Sequence, residues 1–187
     1  PLGHNSSNGR YGIPADNPFY HDKDSGTVKE MYANGFRNPH RISWTKSGDM
    51  LACNIGQANI ESLYLVKPGK DYGWPLAGYA PNYNGVPVPS FDGQPNLTQA
   101  VIYWVPVIAP GNLMFYKGGL FRGWDGTALA SGMASKSLTH IVMDGKGGAT
   151  ATQRWDIGFG VRDAEVAPDG AIWLSEGPSL CEQAVTA

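Results

Sequence analysis

The chain has 187 residues, enough for one domain with a sizeable core, and it is rich in turn formers: 25 Gly and 14 Pro against 16% charged residues, where an average soluble domain carries roughly 25%. A formal net charge of −2 with no basic run argues against a nucleic-acid partner, because phosphate neutralisation needs clustered Lys and Arg. No stretch approaches the roughly 18 apolar residues of a spanning helix, and the polar start Pro1-Leu2-Gly3-His4 does not read as a secretory signal.

Short runs of strand character follow one another along the chain. They are predicted at 41–45 and 49–55 around Lys46-Ser47-Gly48, and at 62–66 before Lys67-Pro68-Gly69-Lys70. A loop rich in Pro, Asn and Gly from Tyr79 to Pro95 separates these from strands at 100–105 and 112–116. Strands at 128–133 and 137–144 come next, the latter closed by Gly145-Lys146-Gly147-Gly148. The last pair, 162–166 and 171–175, flanks the hairpin signal Pro168-Asp169-Gly170. No segment sustains an apolar period of 3.6 with caps, so the class is all-β. Cys53 reads first as a small buried hydrophobe, with a Cys53–Cys181 disulfide as the other reading. No Cys/His cluster has zinc-like spacing.

A weak repeat runs through the pattern. Ser43 to Ala52 resembles Glu165 to Leu174, and Trp124 to Ala130 is a looser third copy. Arg37-Asn38 precedes the first copy and Arg162-Asp163 precedes the last. Strand units that each offer a polar residue at the same point suit blades around an axis better than the two sheets of a sandwich. At about 40–50 residues per blade, the chain is expected to cover three to four blades. The expected division is a tail or cloning remnant at 1–10, a partial β-propeller at 11–178 and a divergent tail at 179–187.

Several motifs then point to one family. Tyr11-Gly12-Ile13-Pro14-Ala15-Asp16-Asn17-Pro18-Phe19, Gly35-Phe36-Arg37-Asn38-Pro39-His40-Arg41 and Ile55-Gly56-Gln57 with Glu61 come first. Gly69-Lys70-Asp71-Tyr72-Gly73-Trp74-Pro75, Trp104 to Gly111 and Tyr116-Lys117-Gly118-Gly119 follow, then Met133 to Leu138 and Val161-Arg162-Asp163. In this order and spacing, from about residue 11 to 176, the chain resembles the C-terminal half of the soluble glucose/sorbosone dehydrogenases. That resemblance implies a six-bladed β-propeller of four-stranded antiparallel blades that oxidises aldoses with pyrroloquinoline quinone (PQQ) and Ca²⁺.

A flat, tricarboxylated quinone needs cations for its carboxylates and a wall to lie against, with Ca²⁺ polarising a quinone carbonyl. The resemblance implies Arg37 and Asn38 near the reactive carbonyls and Arg162 on a carboxylate, where its planar fork makes bidentate contact. It assigns the carbonyls of Gly56 and Gln57 to Ca²⁺, which takes backbone oxygens readily. Trp104, or its neighbours through Val107, would form the wall, and Lys136, or Ala134 in a shifted alignment, would occupy the place of a cofactor-binding lysine.

The chain also departs from the family pattern. Gly160 stands where an arginine is usual, and Val107 where a polar residue is expected. The general base is a histidine from an early blade, and no histidine here matches it. His4 and His21 precede the first clear strand, His40 is read in a turn, and His140 in an outward-looking alternation. The catalytic base is therefore expected outside this chain, which by itself is expected to be inactive or very slow. The alternative is a non-catalytic propeller binding domain, and a third reading is an aromatic-rich carbohydrate-binding module. The expected partners are an aldose and an external electron acceptor such as a cytochrome. A homodimer that completes the propeller is a further expectation, and the expected location is periplasmic or secreted.

Overall fold

A computed structural model describes residues 11–23, 28–58 and 60–177. The first antiparallel sheet is built in sequence order from β1 (Pro39–Trp44), β2 (Met50–Ile55), β3 (Glu61–Val66) and β4 (Ile102–Trp104). The second is β5 (Pro110–Phe115), β6 (Ala128–Gly132), β7 (Ser137–Met143) and β8 (Ala149–Asp156), and the third is the pair β9 (Val161–Val166) and β10 (Ile172–Glu176). The inner strands β1, β5 and β9 lie beside one another. These are blades of a β-propeller. Two are complete and the third is represented by one strand pair, the lower end of the expected three to four. Residues 67–101 explain the difference, because they run as a long excursion with no named strand.

Turn chemistry sets the hairpins. Gly170 has φ 88° and ends the β9–β10 turn, while Asp169 Oδ1 accepts the Ala171 N–H at 2.9 Å. At the β1–β2 turn Thr45 Oγ1 accepts the Asp49 N–H, also at 2.9 Å. Each blade packs its apolar faces on its neighbours. Leu51, Cys53, Leu63 and Trp104 of the first blade meet Leu113, Ala128, Ala130 and Ile141 of the second. Met114, Leu129 and Leu138 of the second pack with Ala164, Val166, Ile172 and Leu174 of the third. The other face of the first blade is covered from within the chain. Ala52, Tyr64 and Val66 pack against Tyr72, Ala33 and Phe36, and the Tyr72 hydroxyl donates to the Leu65 carbonyl at 2.7 Å.

Three expectations are corrected. Strand β8 was not predicted, since Ala149–Asp156 is a mostly exposed outer strand of polar residues without apolar alternation. His140 does not look outward. It lies in β7, whose first five residues are buried, and its ring stacks on Trp124 at 4.6 Å between the Thr127 and Thr152 hydroxyls. His40 is not in a turn but is the second residue of β1, where the register shifts between Pro39 and Arg41. Cys53 is buried, in line with the first reading, and Cys181, its partner in the alternative one, lies outside the described residues.

Candidate functional site

The beginnings of the inner strands meet at one end of the propeller. Gly111, second in β5, accepts a hydrogen bond from Arg41 Nε at 3.0 Å through its carbonyl. A Cβ at Gly111 would lie 2.6 Å from the Val161 carbonyl oxygen and would also collide with that of Arg162. Glycine is what lets β5 sit this close to β9. Arg37-Asn38 before β1, the 105–109 segment before β5 and Gly160 before β9 therefore share this end. The β2–β3 turn at 56–60 and the β6–β7 turn at 133–136 lie there too, because they close strands that pair with those beginnings.

Arg37 and Asn38 are held by a residue that the sequence did not single out. Asn54, buried in β2, accepts the backbone N–H of Arg37 at 3.1 Å and of Asn38 at 2.9 Å through one amide oxygen. The Asn38 carbonyl in turn accepts the Ile55 N–H. The Arg37 guanidinium is thereby fixed over the β2 end, where Nη1 donates to the carbonyls of Gly56 at 2.8 Å and Ile55 at 3.2 Å. Its other side faces the ring of Tyr83, 5.6 Å from the centroid. Behind it lies a cavity of about 40 Å³ lined in part by Asn54, Gly56, Gln57 and Tyr79, room for two or three waters.

The other candidates are placed as follows. Arg162 is the second residue of β9, partly buried, with Gly177 against its side chain: a Cβ on Gly177 would sit 3.0 Å from Arg162 Nε. Lys136 has φ 49° at the β6–β7 turn, and its carbonyl accepts the Ile157 N–H. That turn reaches β9, because a Cβ on Gly160 would lie 2.9 Å from the Met133 carbonyl. The Met133 carbonyl thus crowds the place an arginine's Cβ would need at position 160. Ala134 donates its N–H to the Ile108 carbonyl, also within this turn. Trp104 is a correction. Its side chain is buried among Leu51, Leu63 and Ile141 between the first two blades, so it is core and not an open wall. Its neighbour Val105 is 63% exposed, and Val107 is half-buried.

Glu61 is the buried carboxylate of this end, and its Oε2 accepts the N–H groups of Ile108 at 2.8 Å and Ala109 at 3.3 Å. Burial pushes its pKa up, against the lowering effect of the two N–H donors. It ties the first blade to the segment that starts the second.

The oxygens near Arg37 suit a hard cation. Among the described residues no three His, Cys, Asp or Glu side chains converge, so a cation would be held by carbonyl and amide oxygens, as Ca²⁺ accepts. The Gly56 carbonyl is held by Arg37 and that of Gln57 by the Ile60 N–H, while Gln57 Oε1 is buried without a partner among the described residues. A Cβ at Gly56 would collide with the Ile60 carbonyl, so the turn leaves no room for a side chain there. An oxygen-lined turn that excludes a Cβ and holds an unmatched acceptor fits such an ion.

Radial antiparallel sheets whose inner strands begin around a common end, where Arg37 and Arg162 stand, define a β-propeller. The chain belongs to the Glucose / Sorbosone dehydrogenase family, whose model matches residues 7–179. It is 30% identical over 169 residues to the aldose sugar dehydrogenase YliI of Escherichia coli, covering 87% of this chain and 44% of that protein. The crystal structure of the soluble aldose sugar dehydrogenase of E. coli in the apo-form superposes with a TM-score of 0.78 at 28% identity, covering 89% of this chain and 49% of that one. The PQQ-bound aldose sugar dehydrogenase of Streptomyces coelicolor shares the fold, with a TM-score of 0.62 at 22% identity over 89% of this chain and 44% of that one. The chain thus spans about half the length of these relatives.

Proposed function

We propose that the protein carrying this chain oxidises an aldose at C1 with PQQ beside Ca²⁺, giving a lactone and passing electrons to an external acceptor in the periplasm or outside the cell. One observation carries this reading: Arg37 and Arg162 stand at the beginnings of inner strands on the same end of a propeller of this family. Its sugar dehydrogenase relatives and the PQQ held by a protein of the same fold support it. When bound, the quinone supplies a two-electron acceptor and Ca²⁺ polarises it.

This chain's own residues bind and orient. Asn54 fixes the Arg37-Asn38 backbone, so the guanidinium is positioned before any ligand arrives, and pre-organised donors cost less to order on binding. Arg162 presents a planar fork to a carboxylate, Arg37 faces the reactive carbonyls, and Lys136 adds a further cation. Gly56 and Gln57 supply the oxygens for the cation. The anomeric proton would go to a base that we place in a part of the protein outside this chain, and the quinone, held by Arg37, Asn38 and Arg162, would accept the hydride of C1. A second reading, a propeller that binds a ligand without turnover, is favoured by Gly160 and Val107, which withhold one cation and one polar contact.

The test is a titration of the purified protein with PQQ, with Ca²⁺ and then with chelator, followed by tryptophan fluorescence and circular dichroism. Tight, Ca²⁺-dependent binding, with reduction of a dye acceptor on adding aldose, is the expected outcome. Binding without turnover in a protein that also contains the family's early blades would favour the second reading. A folded protein that ignores the quinone would sink both forms of the quinone site.

A further inference from the structure

Tyr83 belongs to none of the motifs that carry the family likeness, yet it stands against the principal cation of the site. It lies in the excursion between β3 and β4, on a tight turn. There Asn82 donates its N–H to the Val86 carbonyl at 2.8 Å, Gly85 donates to the Asn82 carbonyl at 2.8 Å, and Asn84 Oδ1 accepts the Val86 N–H at 3.1 Å. The turn is thus held by its own bonds. The ring is 75% exposed and contributes little to the core. The Arg37 guanidinium lies 5.6 Å from the centroid, within the reach of a cation–π contact. The hydroxyl is 3.5 Å from Nη2, a long and weak hydrogen bond.

Arg37 is therefore gripped from two sides. The Ile55 and Gly56 carbonyls hold Nη1, and the Tyr83 ring limits the swing of the other amino group. Without the ring, the long side chain keeps its carbonyl contacts but gains freedom at Nη2, the nitrogen left to meet an anion. Immobilising a long side chain on binding costs free energy, a cost that the ring removes in advance. We propose that Tyr83 is a positioning residue for Arg37, its ring holding the guanidinium ready for a flat polycarboxylate at the mouth of the site. The inference rests on the quinone site proposed above. Its effect passes through Arg37, so it depends on the ring and hardly on the hydroxyl.

The experiment uses the protein carrying this chain, with Tyr83→Phe, Tyr83→Ala, Arg37→Gln and the double variant Arg37→Gln/Tyr83→Ala. Two quantities are read: PQQ affinity in saturating Ca²⁺, and the rate at which phenylglyoxal modifies Arg37 in the ligand-free protein, by peptide mapping. Tyr83→Ala is expected to weaken PQQ binding about three- to tenfold, the scale of an exposed cation–π contact and its ordering effect. Tyr83→Phe should stay within about twofold. In the Arg37→Gln background, Tyr83→Ala should add less than about twofold, as coupling through one residue requires. Phenylglyoxal should modify Arg37 several times faster in Tyr83→Ala, with the melting temperature unchanged. Parent-like affinity in Tyr83→Ala would overturn the proposal while leaving the quinone site standing. So would a loss that persists undiminished without Arg37, because the ring would then touch the ligand itself. If the parent protein binds no PQQ, the quinone reading fails, and the modification rate alone decides whether Tyr83 orders Arg37.

Discussion

Asn54 shows how one buried amide sets the geometry of a site it does not reach. A single side-chain oxygen accepts two successive backbone N–H groups, and its Nδ2 lies 3.4 Å from the Ser62 hydroxyl. Asn54→Ala would leave both N–H groups without their acceptor, each lost partner costing about 1–3 kcal/mol when buried. The expected result is a stability loss of roughly 2 kcal/mol in denaturant unfolding and a weakening of PQQ binding through the loosened Arg37. Asn54→Asp keeps the acceptor and should restore most of the stability. Nothing in the sequence pointed to Asn54, because its partners are 16 and 17 residues away and an Asn inside an apolar strand has no local signature. Arg37, Asn38 and Arg162 were legible because they recur before or within repeated strand units. Trp104 was misjudged because an aromatic in a short strand reads the same whether it faces a ligand or the core.

At the scale of elements, the close approach of β5 to β9 depends on Gly111. A methyl group there would meet only backbone, the Val161 and Arg162 carbonyls, which cannot rotate aside as a side chain could. Gly111→Ala is expected to cost about 1–3 kcal/mol or more, the range for overpacking a filled site, and to weaken ligand binding by displacing Arg162. Gly119→Ala is the control. Nothing lies within 4 Å of a Cβ there and its φ is not positive, so a change within about 0.5 kcal/mol is expected. Chemical denaturation of the two variants checks both. Strand positions were largely readable from turn residues such as Gly48 and Pro168-Asp169-Gly170. Strand β8 was not, because an outer strand with one exposed face and polar residues lacks apolar alternation. The alternation rule also misplaced His140: a blade is covered on both faces, so residues of either parity in β7 are buried.

For the whole molecule, Glu61 is a buried polar tie between the first two blades, and its two N–H partners begin the crossing to the second. Burial holds its folded pKa above the unfolded value of about 4.3, so the folded state binds the proton more tightly. Its linked contribution is fully present below the unfolded pKa and is lost as pH rises through the folded one. Glu61→Gln, which still offers an oxygen to Ile108, is expected to flatten that part of the stability–pH profile. Glu61→Ala should cost about 1–3 kcal/mol for each unmatched N–H. Thermal melts of both variants from pH 4 upward would check the sign, and an unchanged slope in Glu61→Gln would contradict it. The two ends of the arc expose Trp44 on β1 and Trp173, 71% exposed, on β10.

The sequence by itself determined the all-β class and the order of the hairpins, because turn residues and short strands are local and survive being read in a line. Tertiary structure decided which of those residues share a site, that Asn54, Tyr83 and Gly111 shape it, and that Trp104 and His140 lie within the packed blades. The reason is physical: blade faces pack radially, so burial and partnership depend on neighbours that are dozens of residues away along the chain.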